Sequence, residues 1–313
     1  MRWIWKLLPG LLLLLGLAAC TGNDLPAATP AGFVTPQVSA APSAVPPTPR
    51  SQNSSPSPAP TLGLQPSVTP TFTLQPPTPP ACAPGVIESR QLASEHLKDP
   101  LKYLVYLPPC YDQNDQRYPV IYLLHGQTYS NTHWLDLGAA ETADRLISGG
   151  EVAPFIMVFP YDARHFDPPP VSGFDEAFLG DLLPAVDGEY RTRPERACRA
   201  IGGISRGGNW AVHIGLQHPD LFGAIGAHST PVFSTDSNKE IREWLAAIPD
   251  DEFPRLYLDA GTNDRWLRYT LVFENLLSEA NVPYEWHLYP GFHDDAYWQA
   301  HLEEYLRWYA QAW

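Results

Sequence analysis

Basic side chains are scarce in this 313-residue sequence, with 20 Lys and Arg against 34 Asp and Glu. Residues 1–81 carry only Arg2, Lys6, Asp24 and Arg50, so the remainder holds 17 basic and 33 acidic residues. A surface of that sign repels polyanions, which argues against nucleic acid as a partner and against polyanionic substrates. Cysteine is sparse too: there are four, and no two stand at C-x-x-C spacing, which disfavours a thiol redox motif or a zinc knuckle. H-E-x-x-H is absent and the ten His are scattered, so no metal is expected, and nothing in the chain calls for a cofactor. Internal repeats and heptads are missing as well.

What is present begins with Arg2 and Lys6, an apolar run from 7 to 17, and Ala18-Ala19-Cys20. A positive start, a short apolar core and small residues before a cut site read as a secretory signal peptide at 1–20, too short to span as a stable helix. The ending Leu17-Ala18-Ala19-Cys20 resembles a bacterial lipobox, which implies that Cys20 is lipidated and becomes the mature N-terminus. The alternative is an ordinary signal peptide that happens to end near a cysteine. Residues 21–81 are Pro, Ala, Thr, Ser and Gln with almost no charge. Such a stretch has too little apolar surface to offset the entropy of ordering and is expected to be an unfolded linker. At full polyproline extension it reaches about 190 Å. The expected location is extracytoplasmic, at the cell surface, with membrane contact only through the anchor.

Residues 82–313 form one domain of ordinary size. In an oxidising compartment a Cys82–Cys110 disulfide is expected to pin its first strands, leaving Cys198, beside the apolar run 200–204, as a buried free thiol. Short apolar runs alternate with amphipathic stretches, which reads as α/β with a mainly parallel sheet. Strands are expected at 86–93, 101–107, 120–125, 155–159, 200–205, 224–228, 255–260 and 285–289. Helices are expected at 135–147, 176–190, 208–218, 238–247, 265–280 and 295–312, with Pro184 kinking the second or delaying its start.

Gly203-Ile204-Ser205-Arg206-Gly207 fits G-x-S-x-G, and its setting matters more than the match. A buried-strand pattern precedes it and a helix pattern follows. A serine on a sharp strand-to-helix turn needs small residues two before and two after, because the flanking chain passes close by. The turn exposes the hydroxyl and aims a helix N-terminus at a developing oxyanion. A serine hydroxyl is a weak nucleophile until a base takes its proton, and the base needs a third group to orient it. In α/β-hydrolases those partners follow in the order acid, then His, each on a loop after a strand. Asp264, in Gly261-Thr262-Asn263-Asp264, follows the strand at 255–260. His293, in Pro290-Gly291-Phe292-His293, follows the strand at 285–289.

The rivals fit less well. Asp259 and His287 fall inside strands and read as satisfied polar groups of the sheet. Asp236 reads as a helix N-terminus signal, Asp294 and Asp295 as first-turn residues of the last helix, and Glu274 as part of a solvated helix face. The oxyanion hole is expected from the backbone N–H of Arg206 and that of Gln127, in His125-Gly126-Gln127-Thr128 at the end of an earlier strand. His125 is expected to shape that loop rather than act as a base. Trp134 and Trp298 are candidates for stacking on an aromatic or sugar ring of the substrate. The Pro-rich segment His165-Phe166-Asp167-Pro168-Pro169-Pro170 is expected to form part of the pocket wall.

The segments 118–126, 189–192, 202–208, 218–222 and 291–293 resemble the esterase family of α/β-hydrolases, which includes feruloyl esterases, S-formylglutathione hydrolases, enterochelin-type esterases and mycolyltransferases. They span most of 82–313 and occur in the family's order. The resemblance implies an α/β-hydrolase fold with Ser205, Asp264 and His293 as its catalytic triad. It does not choose a subfamily, since Arg206 is one of several residues found after the nucleophile. The expected activity is hydrolysis of a small-molecule or carbohydrate-linked carboxylic ester through an acyl-enzyme on Ser205. Two alternatives remain: an acyltransferase using the same triad, and a non-catalytic surface-binding domain.

Overall fold

The computed structural model describes residues 82–313. The expected signal peptide at 1–20, its Cys20 and the linker at 21–81 lie outside the described residues. Eight strands form one sheet in the order β1-β2-β4-β3-β5-β6-β7-β8. They are β1 (Val86–Leu92), β2 (Leu101–Leu107), β3 (Val120–Leu124), β4 (Ile156–Pro160), β5 (Arg199–Ile204), β6 (Ala224–His228), β7 (Arg255–Gly261) and β8 (Glu285–Tyr289). β2 runs antiparallel to both β1 and β4, and every other pairing is parallel. Parallel strands need crossovers that cover both faces, and β3, β4, β5 and β6 are buried along their whole length for that reason. Along β3, Val120, Tyr122 and Leu124 enter the core on one face while Ile121 and Leu123 enter the core on the other.

The helices, in chain order, are α1 (His133–Asp136), α2 (Ala139–Ser148), α3 (Pro169–Ser172), α4 (Phe174–Ala177), α5 (Leu183–Glu189), α6 (Arg206–Gln217), α7 (Asn238–Ala247), α8 (Leu267–Glu279) and α9 (Asp295–Ala310). Two depart from expectation. The single helix expected at 135–147 is divided at Leu137 and Gly138, where glycine takes φ 94° and starts α2 afresh. The helix expected at 176–190 is α4 and α5 joined by a π turn, Phe178–Leu182. Pro184, which lacks an N–H, falls at the start of α5 beyond that wide turn, where the broken hydrogen-bond ladder tolerates it.

Cys82 and Cys110 are joined by a disulfide with Cα atoms 5.1 Å apart, tying the entry of β1 to the exit of β2. Cys198 is free and buried.

α9 is fastened to the sheet by a buried polar network. Gly202 and Gly226 face each other across β5 and β6, and a Cβ on either would fall within 2 Å of the Tyr309 hydroxyl, 1.7 and 1.9 Å away respectively. That hydroxyl donates to Nε2 of His228 (3.0 Å), whose Nδ1–H donates to Asp259 (2.8 Å). The other Asp259 oxygen accepts from Tyr297 and Tyr305 at 2.6 and 2.7 Å. Asp259 is thus fully engaged inside the sheet, the condition for burying a charge without heavy cost. Burial raises the Tyr305 and Tyr309 phenols well above their ordinary range. His287 is only half satisfied: its Nδ1–H donates to the Tyr289 hydroxyl at 3.1 Å, whose own proton goes to Glu304 at 2.7 Å, while Nε2 has no hydrogen-bond partner among the described residues.

Candidate active site

Ser205 is the first residue beyond β5 and the N-cap of α6, with φ 54° and ψ −116°. A non-glycine residue at positive φ carries strain and persists only where its surroundings hold it. Here the Ser205 N–H donates to the His228 carbonyl at 2.7 Å, and the Ser205 carbonyl accepts from the Asn209 N–H at 2.9 Å. The two motif glycines make the turn possible. A Cβ on Gly203 would lie 2.1 Å from the Gly207 carbonyl carbon, and one on Gly207 would lie 2.1 Å from the Leu124 carbonyl oxygen.

Three loops, each at the C-terminal edge of a parallel strand, then converge. His293 Nε2 lies 2.9 Å from Ser205 Oγ, and His293 Nδ1 lies 2.8 Å from Asp264 Oδ2. With Nδ1–H donating to the carboxylate, Nε2 is left to accept from the serine hydroxyl. The second Asp264 oxygen accepts from the Trp266 N–H at 2.7 Å, so both ends of the carboxylate are held. The two partner loops are laced together: the Thr262 N–H donates to Tyr289 and the Asn263 N–H to Gly291. Asp264 and the His293 side chain are largely buried, which keeps water from competing for these bonds.

Gln127 and Arg206 line the same pocket as Ser205, and neither backbone N–H has an acceptor among the described residues. The loop that presents Gln127 is held by His125, which accepts the Asp162 N–H on Nε2 (3.0 Å) and donates from Nδ1 to the Gly126 carbonyl (2.8 Å). Burial pushes the His125 pKa down to about 4, keeping the ring neutral and able to accept. A second support escaped the sequence reading. The Gly126 N–H donates to His133 Nδ1 at 3.2 Å, and His133 Nε2–H donates to Asp295 at 3.2 Å. Asp294, not Asp295, caps α9, through the Tyr297 N–H.

Arg206 contributes its side chain to the scaffold. Its guanidinium is buried, donating to Asp162 at 2.8 Å and to the Asp167 carbonyl at 2.6 Å. Asp162 also accepts the Trp210 indole N–H at 2.9 Å. The Pro-rich segment 165–170 is therefore anchored by the Arg206 side chain, and contrary to expectation none of its residues lines the pocket around Ser205.

That pocket, about 510 Å³, is lined by Pro231, Val232 and Phe233 and by Trp266, Tyr269 and Val272. Trp134 and Trp298 are not among its lining residues, which corrects the expected stacking role. Trp134 is buried under β3 and donates to the Leu124 carbonyl. Trp298 is buried behind His293, edge-on to its ring, and donates to Ser229 Oγ at 3.1 Å. Large apolar residues of either tryptophan's period look alike in sequence whether they face core or cleft. Asp236 is also reassigned: Ser237 caps α7 in a capping box with Glu240, while both Asp236 oxygens lie 3.0 Å from His213 Nδ1. Glu274 accepts from the Tyr284 hydroxyl. A larger cleft of about 820 Å³, beside Glu151, His287 and Trp313, contains no triad residue. Among the described residues no cluster of His, Cys, Asp and Glu suits a metal, and no helix is long and apolar enough to cross a membrane.

The family described as "Putative esterase" matches residues 94–309. An endo-1,4-beta-xylanase/feruloyl esterase of Xylanibacter ruminicola is 31% identical over 147 residues, covering 44% of this chain and 20% of that protein. An esterase of Mycobacterium tuberculosis is 25% identical over 245 residues, covering 60% of this chain and 51% of that protein. The chain thus spans between a fifth and about half of the length of these relatives. Among solved structures, a ferulic acid esterase superimposes with a TM-score of 0.65 and 27% identity, covering 74% of this chain and 100% of that one. An S-formylglutathione hydrolase of Staphylococcus aureus gives a TM-score of 0.61 at 20% identity, covering 74% and 99%. The fold is that of the α/β-hydrolases.

Proposed function

The chain belongs to the esterase family, and from that membership we propose that it is a serine carboxylic-ester hydrolase working through an acyl-enzyme on Ser205. The observation that carries the proposal is the unbroken relay from Ser205 Oγ through His293 to Asp264, with links of 2.9 and 2.8 Å.

In this reading His293 Nε2 takes the Ser205 proton as Oγ attacks the ester carbonyl carbon. The carbonyl oxygen becomes an oxyanion held by the N–H groups of Gln127 and Arg206, at the N-terminus of α6, where the helix dipole also favours negative charge. Asp264 fixes the His293 tautomer and stabilises the imidazolium. The tetrahedral intermediate collapses, the C–O bond breaks, and the alcohol leaves with the proton from Nε2. Water then enters, gives its proton to His293, attacks the acyl-enzyme carbon and releases the acid, returning the proton to Ser205.

The substrate is proposed to be a small-molecule or carbohydrate-linked ester. The relatives named as feruloyl esterases support that class, and the aromatic pocket walls suit a flat or ring-bearing ester. Residues 1–20 support secretion with Cys20 as a lipid anchor, and residues 21–81 support a tether between anchor and enzyme. Hydrolysis of a short-chain p-nitrophenyl ester by the native protein, abolished in Ser205→Ala, is the expected result; equal rates for the two proteins would refute Ser205 as nucleophile.

A further inference from the structure

Asn209 stands one helical turn beyond Ser205 on α6 and lines the same pocket. It is 8% exposed, and its side-chain oxygen is buried with no hydrogen-bond partner among the described residues. The other polar side chains of the pocket are accounted for. Arg206 is committed to Asp162 and Asp167, Asp236 to His213, and Ser237 to its capping box. Gln127, Ser234 and Asn238 are exposed and can be satisfied by water. Of the polar side chains lining this pocket, Asn209 is the buried one left without a partner among the described residues.

A buried amide without a partner is destabilising, so its retention beside a nucleophile points to a ligand-side partner. Residues four apart on a helix lie about 6 Å from each other on one face. The Asn209 amide therefore reads a part of the bound ester only a few bonds from the carbonyl that Ser205 attacks. The apolar walls formed by Phe233, Trp266 and Tyr269 can take the carbon skeleton, and Asn209 supplies a polar contact among them. A hydroxyl both donates and accepts, so it satisfies a carboxamide in either orientation.

We propose that Asn209 is a specificity-determining residue, hydrogen-bonding a hydroxyl group on the ester so that hydroxyl-bearing esters are preferred over hydroxyl-free isosteres. This deepens the esterase reading above and rests on it. A site with a buried polar group loses heavily on analogues that leave that group unpaired, whereas an all-apolar pocket distinguishes a hydroxyl poorly.

The test compares kcat/KM for two matched pairs: 4-nitrophenyl esters of 4-hydroxyphenylacetate and 4-methylphenylacetate, and the 2-hydroxyethyl and propyl esters of benzoate. The first pair places the hydroxyl on the acyl side and the second on the alcohol side. The native protein is expected to prefer the hydroxyl member of at least one pair by tenfold or more. In Asn209→Leu that preference should shrink to twofold or less while the hydroxyl-free ester is still cleaved. Fluorophosphonate labelling of Ser205 at the native rate verifies an intact site, and Asn209→Ala serves the same purpose if the leucine variant does not fold. No preference in either pair, or a preference that survives both substitutions, would overturn the role of Asn209 while leaving the esterase standing. Absence of both hydrolysis and labelling in the native protein would overturn the esterase reading, and this inference with it.

Discussion

Trp298 stands edge-on to His293, with ring centroids 5.1 Å apart and planes at 83°. The indole is buried and its N–H is held by Ser229 Oγ, so it acts as a fixed wall behind the base. Removing it lets the imidazole swing away from the line between Ser205 and Asp264. For Trp298→Leu we expect kcat to fall by about 10- to 100-fold, the scale of a small misplacement of a reacting group. KM should change little, because Trp298 does not line the pocket. Steady-state kinetics separates the two: a rise in KM at constant kcat would return Trp298 to substrate contact.

The nucleophile turn should tolerate no side chain at either motif glycine. A Cβ at Gly203 or Gly207 meets backbone at 2.1 Å, where no flexible atom can give way. Gly203→Ala and Gly207→Ala should each be destabilised by more than about 2 kcal/mol, as overpacked sites are, and should lose most activity. Ser205→Ala should stay within about 1 kcal/mol of native stability, since it removes only the hydroxyl's bond to His293 and introduces no clash. Urea unfolding of the three variants checks the contrast.

The buried pair of Arg206 and Asp162 links the nucleophile's own helix to the loop after β4. Breaking one side of a buried pair leaves an unpaired charge and costs roughly 3–5 kcal/mol. Asp162→Ala should show a loss of that order by denaturant unfolding, with part of it due to the orphaned Trp210 N–H. The loss is expected even at high salt, because neither group is open to solvent screening.

A buried histidine and a half-buried aspartate give stability opposite dependences on pH. The His125 pKa is lowered by burial from 6.5 to about 4, so between those values the unfolded chain binds more protons than the folded one. Stability from His125 is present above 6.5 and is lost as pH falls toward 4, by up to about 3 kcal/mol. Asp175 is raised from 3.8 to about 6, first by burial and then by neighbouring Glu176, so its contribution worsens as pH rises across that interval. The advantage of the native protein over His125→Gln should therefore shrink on acidification from 6.5 to about 4. Asp175→Asn should gain on the native protein as pH rises from about 4 to 6. Unfolding free energies at several pH values test both slopes.

Much of this site could be read from sequence because each triad residue follows a strand whose apolar run is unambiguous. Ser205, Asp264 and His293 were placed on loops by those runs, and the structure brings the three side chains into contact. What could not be read depends on which way a side chain turns. Trp134 and Trp298 were indistinguishable from cleft residues because a buried aromatic and a pocket aromatic have the same local pattern. His133 and Asp295 meet across 162 residues to brace the Gly126 loop, a pairing no local spacing reports. The helix break at Gly138 depends on one glycine taking a positive φ, which the sequence pattern does not report, whereas Pro184 does mark the late start of α5 and only the π turn before it is unannounced. Asn209 is, in sequence, one more polar residue of a helix, and only the fold buries its side-chain oxygen without a partner.

The nucleophile itself is best tested by reacting the native protein with a fluorophosphonate and mapping the adduct by peptide mass spectrometry. The account predicts one covalent adduct, on the peptide containing Ser205, with loss of ester hydrolysis in proportion to labelling and no adduct on that peptide in Ser205→Ala. An active protein that labels elsewhere, or that keeps hydrolysing esters after Ser205 is fully modified, would contradict it.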